Sequence, residues 1–90
     1  MDRANAYAMA CKELRSFEAM SYEDVVSLVG QPPKRSTVLV GELEWTVEVR
    51  VDWQDQCAGI AEVVATVEGP SSWKLERLVE TLTIRPSAIS

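Results

Sequence analysis

"ELEWTVEVRVDW", residues 42–53, decides the reading of this chain. Trp45, Val47, Val49, Val51 and Trp53 are apolar, and Thr46, Glu48, Arg50 and Asp52 between them are polar. Alternation of period two over this length specifies a β-strand with one face buried and the other in water. Burial of each large apolar side chain is worth roughly 1.5–3 kcal/mol, so this strand is expected to be the chief stabilising element.

The flanking residues extend it into a sheet. "RSTVLV", residues 35–40, precedes Gly41-Glu42 and the strand beginning at Leu43, which reads as a β-hairpin. Glycine at the first loop position suits a tight turn of the II′ type. On the other side the polar loop "QDQCAG", residues 54–59, closes a second hairpin, and "IAEVVATVE", residues 60–68, is the third strand. Ala61, Val63, Ala65 and Val67 are expected to face the core, with Ile60, Glu62, Val64 and Thr66 outward. That outer set is less polar than a solvated face calls for. "GPSS", residues 69–72, then breaks the chain. Beyond it Leu75, Leu78, Val79 and Leu82 fit a helical stripe, whereas "TLTIR" favours a strand through its β-branched residues. The expectation is a short strand or helical turn at 73–80 and a strand at about 81–85.

Before the hairpins come two helices. Residues 4–19 are rich in Ala, Glu, Lys and Leu, with Tyr7, Cys11, Leu14 and Phe17 at helical spacing. Ser21 opens the second helix with Asp24 three residues on, a variant of the capping box, and Val25, Val26, Leu28 and Val29 form its apolar stripe. Gly30 supplies a left-handed residue past its end, and Pro32 and Pro33 forbid continuation. Consecutive helices followed by consecutive strands give α+β: two N-terminal helices packed on one face of a three- to four-stranded antiparallel sheet. Leu14, Phe17, Val25, Leu28 and Val29 are expected to cover the apolar face of residues 45–53.

Ninety residues make one domain, 1–90, with a thin core that shared burial with a second copy would help. No run of about 18 apolar residues exists to span a membrane, and "MDRANAYAMACKEL" lacks the basic start and apolar stretch of a signal peptide. A cytoplasmic setting follows as the expectation. Cys11 and Cys57 are then reduced thiols, read as small core fillers. The net charge of −5 argues against nucleic acid, which needs clustered Lys and Arg. From Ser36 to Pro70 seven acids meet one base, Arg50, while the remainder holds seven acids and eight bases. The acidity belongs to the sheet.

The chain contains no His, which removes the commonest general base, the commonest metal ligand and every Ser-His or Cys-His nucleophile. No phosphate loop, dinucleotide fingerprint, zinc motif or calcium loop is present. No catalytic residue, metal or cofactor is therefore expected. Glu44, Glu48 and Asp52 share one strand face at about 13 Å spacing, wider than paired-carboxylate glycosidase chemistry uses. With Glu62 they form a candidate surface for a basic protein. Trp45 and Trp53 obey the strand alternation and read as core; Trp73, after the break, is the tryptophan placed to meet a partner.

"SYEDVVSLVGQPP", "VLVGELEWTVEVRVDWQDQ" and "IAEVVATVEGPSSWKLERLVETLTIRP" together resemble the small proteins carried by bacterial mobile gene cassettes of integrons. Those run as a short helix ending in Val-Gly, a long alternating hairpin, a third strand and a Pro-containing tail. Where such tails carry a Pro-Asp-Gly turn, this chain has Pro86, Ser87 and Ala88. The resemblance implies an accessory bacterial protein and transfers no catalytic residue.

The expected function is a non-catalytic interaction module with an acidic sheet face; the alternative is a small-molecule site lined by Trp between sheet and helices or at a dimer seam. A homodimer is expected. Ile60, Val64 and Thr66 are its candidate contacts, unless Leu82 and Ile84 cover that apolar surface within one chain.

Overall fold

The structure, a computed structural model, describes residues 3–70 and 75–86. Its elements run α1 (Arg3–Glu18), α2 (Tyr22–Val26), β1 (Lys34–Val40), β2 (Leu43–Asp55), β3 (Ile60–Pro70) and β4 (Leu75–Ile84). The strands form one antiparallel meander in the order β1-β2-β3-β4, with the helices on one face: an α+β fold. α1 lies over β3 and β4 and reaches β2.

Turn chemistry sets the registers. Gly41 has φ +66° and no non-glycine residue among the described residues has positive φ, so in this loop only the first position is left-handed, as the II′ hairpin requires. The two-residue loop pairs Val40 with Leu43 and runs without interruption to Lys34 opposite Val49. The second loop is held by Asp55 Oδ1, which accepts the Ala58 N–H at 3.2 Å, and by Gln56 O, which accepts the Gly59 N–H at 3.1 Å. A register shift between Trp53 and Asp55 bends β2 as it enters this loop.

β2 carries out its alternation: Trp45, Val47, Val49 and Val51 are buried toward the helices. Trp53, expected in the core, is only half-buried, because it lies next to the shift that ends regular pairing. In β3, Ala61, Val63, Ala65 and Val67 are fully buried as the alternation requires.

After the break the described residues take the strand alternative and not the helical turn. Residues 75–84 form one continuous strand, paired from Pro70 opposite Leu75 to Ala61 opposite Ile84. Leu78, Leu82 and Ile84 alternate onto the helix face, and Val79 points the other way and is exposed. The helical spacing of Leu75, Leu78, Val79 and Leu82 therefore mixes residues from both sheet faces. Trp73 lies outside the described residues.

α1 buries Ala6, Ala10 and Leu14, with Met9 and Phe17 at their edge. Leu14 and Phe17 pack as expected, but earlier in the helix the stripe runs through Ala6 and Ala10, leaving Tyr7 exposed and Cys11 half-buried. Alanine lacks the bulk that draws a periodicity reading, yet it is what lets a helix approach a sheet closely. Cys57 is exposed in the β2–β3 loop, so neither free thiol is a core filler. α2 is shorter than its stripe implies. Ser21 caps it, its Oγ accepting the Asp24 N–H at 3.2 Å, and Val25 is fully buried. After Val26 the chain continues in tight i→i−3 turns through Leu28 and Val29 to Gly30, at φ +81°. The β-branched valines and the Ser27 hydroxyl, which donates to Asp24 O at 2.6 Å, disfavour further α-helix.

Candidate functional site

Because both helices occupy one side, the other face of the sheet is left uncovered by any helix or strand among the described residues. Cross-strand register arrays its side chains in rows: Thr37, Thr46, Glu68 and Arg77; then Arg35, Glu48, Thr66 and Val79. Beyond β1 follow Arg50, Val64 and Thr81, and then Asp52, Glu62 and Thr83. Glu44 completes the array opposite Leu39. Four of the sequence-selected residues, Glu44, Glu48, Asp52 and Glu62, thus share this face with the candidate contacts Val64 and Thr66.

Its electrostatics differ from a bare acidic face. Arg35 Nη2 meets Glu48 Oε2 at 2.6 Å, Arg77 Nη2 meets Glu68 Oε1 at 3.1 Å, and Arg50 Nε meets Asp52 Oδ2 at 3.3 Å. Its hydrogen bond to Glu48 pushes the Arg35 pKa above the ordinary guanidinium value. Glu44 and Glu62 carry no ion pair among the described residues. The paired residues frame a shallow polar groove of about 340 Å³, lined also by Thr66 and the apolar pair Val64 and Val79. Arg35, Arg50 and Arg77 are the members that a reading centred on acidity passed over. Arg35 opposite Glu48 was accessible in principle, since the Gly41-Glu42 loop fixes every β1–β2 partner.

Val64 is 9% exposed, already covered by its neighbours on the face, and Ile60 and Thr66 are half-buried. Leu82 and Ile84 play no part in covering it. They pair with Val63 and Ala61 on the helix side, so the single-chain cover held open as the alternative to a dimer is corrected. The side chains beside Val64 come instead from Arg50 and Thr81.

Two further recesses flank the core. One, of about 120 Å³, lies between the sheet and the helical segments and is lined by Phe17, Leu28, Pro32, Val49 and Val51, with no Trp. The other runs between α1 and β4 beside Tyr7, Cys11 and Glu80. There a hydrogen bond with Cys11 raises the Tyr7 pKa above the usual phenol value, and Glu80 adds to the effect. Trp45 is sealed at 1% exposure, and its Nε1–H has no hydrogen-bond partner among the described residues. No three or more acidic or Cys side chains cluster as a metal site among the described residues. Among the described residues no helix is long and apolar enough to cross a membrane.

No protein-family model matches the chain, and neither a curated protein nor a solved structure is significantly similar to it.

Proposed function

We propose that this chain is a small non-catalytic interaction module of the bacterial cytoplasm, presenting the open face of its sheet to a protein partner with complementary basic groups. The observation that carries this reading is the placement of Glu44, Glu48, Asp52 and Glu62 on a sheet face that neither helix covers. Acids outnumber bases there, five (Glu44, Glu48, Asp52, Glu62, Glu68) to three (Arg35, Arg50, Arg77). Glu44 and Glu62, at opposite ends of the face, are the carboxylates left for a partner.

A small-molecule site between sheet and helices receives less support. Ligand pockets usually enclose about 300–1,000 Å³, against about 120 Å³ in the apolar recess beneath the helices. The groove of about 340 Å³ on the open face reaches that range but is lined mainly by charged side chains.

The test is fluorescence anisotropy with a labelled lysine-rich peptide at low and high salt. Binding that weakens with salt and is lost in the double variant Glu44→Lys/Glu62→Lys, with the circular-dichroism spectrum unchanged, supports the module. Peptide binding indifferent to both carboxylates removes this face from consideration.

A further inference from the structure

Of the two sheet edges, β1 is the less protected among the described residues. β4 carries charges at Glu76, Arg77 and Glu80. β1 is exposed along six of its seven residues, pairs with β2 without a bulge, and has no charge or proline from Ser36 to Val40. Leu39 is 72% exposed and Val38 36%. Regular uncharged edges of this kind template pairing with another strand unless something covers them.

The direction of the free hydrogen-bonding groups follows from the hairpin. In a two-residue hairpin the residues flanking the loop form a hydrogen-bonded pair, and pairs alternate from there. Val40, Val38 and Ser36 therefore direct their N–H and C=O groups to β2, and Leu39, Thr37 and Arg35 direct theirs to the open edge. Charge along the hairpin is polarised as well. Lys34 stands at one end of β1, beside Arg35, whose charge is already paired with Glu48, and Glu42 and Glu44 stand at the turn at the other.

We infer that the occupant of this edge is a second copy of the chain, its β1 paired antiparallel to the first about a two-fold axis at Thr37. That register sets Arg35 of each copy opposite Leu39 of the other, with about six inter-chain backbone hydrogen bonds. It also brings the basic end of each strand beside the acidic turn of its mate, whereas a parallel pairing would set like charges together. The arginine stem lies along the exposed Leu39, and an eight-stranded sheet results. The inference goes beyond the open-face reading: it concerns the β1 edge and leaves that face free.

Light scattering at increasing concentration measures the mass directly, with twice the 10.0 kDa chain mass expected. Thr37→Pro removes an outward N–H and no bond to β2, so it should give a folded monomer. Lys34→Glu should weaken the dimer about tenfold through both symmetry-related charge pairs, and Glu42→Lys added to it should restore the affinity. Restoration keeps the test valid even if the proline variant fails to fold. Amide exchange at Arg35, Thr37 and Leu39 should slow with rising concentration. A 10.0 kDa mass up to millimolar concentration overturns the inference, as does a dimer indifferent to Lys34→Glu or to a folded Thr37→Pro. Lysine-rich peptide binding by the wild-type chain decides the open-face reading separately.

Discussion

The Tyr22 hydroxyl donates a hydrogen bond of 2.5 Å to the carbonyl of Gly59, tying α2 to the β2–β3 loop across 37 residues of sequence. Gly59 sits at φ +71°, and a Cβ there would stand 2.9 Å from that same hydroxyl oxygen. The glycine is thus required twice, once for its backbone conformation and once for the approach of Tyr22.

Gly59→Ala and Gly41→Ala separate these causes, because Gly41 has φ +66° but nothing within 4 Å of an added Cβ. Gly41→Ala should lose the roughly 1–2 kcal/mol of a left-handed L-residue, and Gly59→Ala should lose more. Tyr22→Phe alone should cost about 1 kcal/mol. In that background Gly59→Ala should become cheaper, giving a non-additive cycle by urea denaturation. Additivity would mean that the hydroxyl and the glycine are independent.

Trp45 concentrates two opposing terms in one side chain. Its ring is fully buried, so Trp45→Ala should cost about 3–5 kcal/mol, a large share of the stability of a domain this size. Its indole N–H, however, is buried without a partner among the described residues. Trp45→Phe discards that donor, whose desolvation costs about 1–3 kcal/mol, and should recover most of the loss. Equal destabilisation of the Phe and Ala variants in chemical denaturation would show that the N–H is satisfied.

The recess beneath the helices separates two valines of the same sheet face. Val49 lines it, whereas Val63 is fully enclosed. Val49→Ile should gain up to about 0.8 kcal/mol by placing a methylene there. Val63→Ile should lose about 1–3 kcal/mol through overpacking. Thermal melts of the two variants should move in opposite directions.

What the sequence disclosed, and what it withheld, follows from the range of the signals. β2 and β3 were legible because alternation is local: each residue from Trp45 to Val51 and from Ala61 to Val67 announces its face. The first hairpin was legible because Gly41 fixes both turn and register. β4 was ambiguous because Leu78 and Val79, adjacent and both apolar, face opposite sides of the sheet. Only the pairing with β3 assigns them. The first half of the α1 stripe was misplaced, while Leu14 and Phe17 were read correctly, because Ala6 and Ala10 pack by being small and size is the weakest periodic signal. On the open face the acids were visible one by one. Their neutralisation by Arg35 and Arg77 depends on strands brought alongside from both ends of the chain.

That dependence makes the Leu78–Val79 pair the sharpest test of β4. Leu78 is 9% exposed beneath α1, and Val79 is 50% exposed on the open face beside Thr66. Leu78→Asp removes an apolar side chain worth about 2–5 kcal/mol and adds a carboxylate that burial strips of water. It should unfold the domain or protonate only at the expense of most of its stability. Val79→Asp should leave the melting temperature close to wild type. It introduces a charge where solvent already reaches, two strands from Glu48 in the same row. A helix over 75–82 would instead put Leu78 and Val79 on neighbouring parts of one apolar stripe, and both substitutions would then destabilise alike. Circular dichroism melts of the two variants side by side distinguish these outcomes, and similar losses for both would remove the strand register from Pro70–Leu75 to Ala61–Ile84.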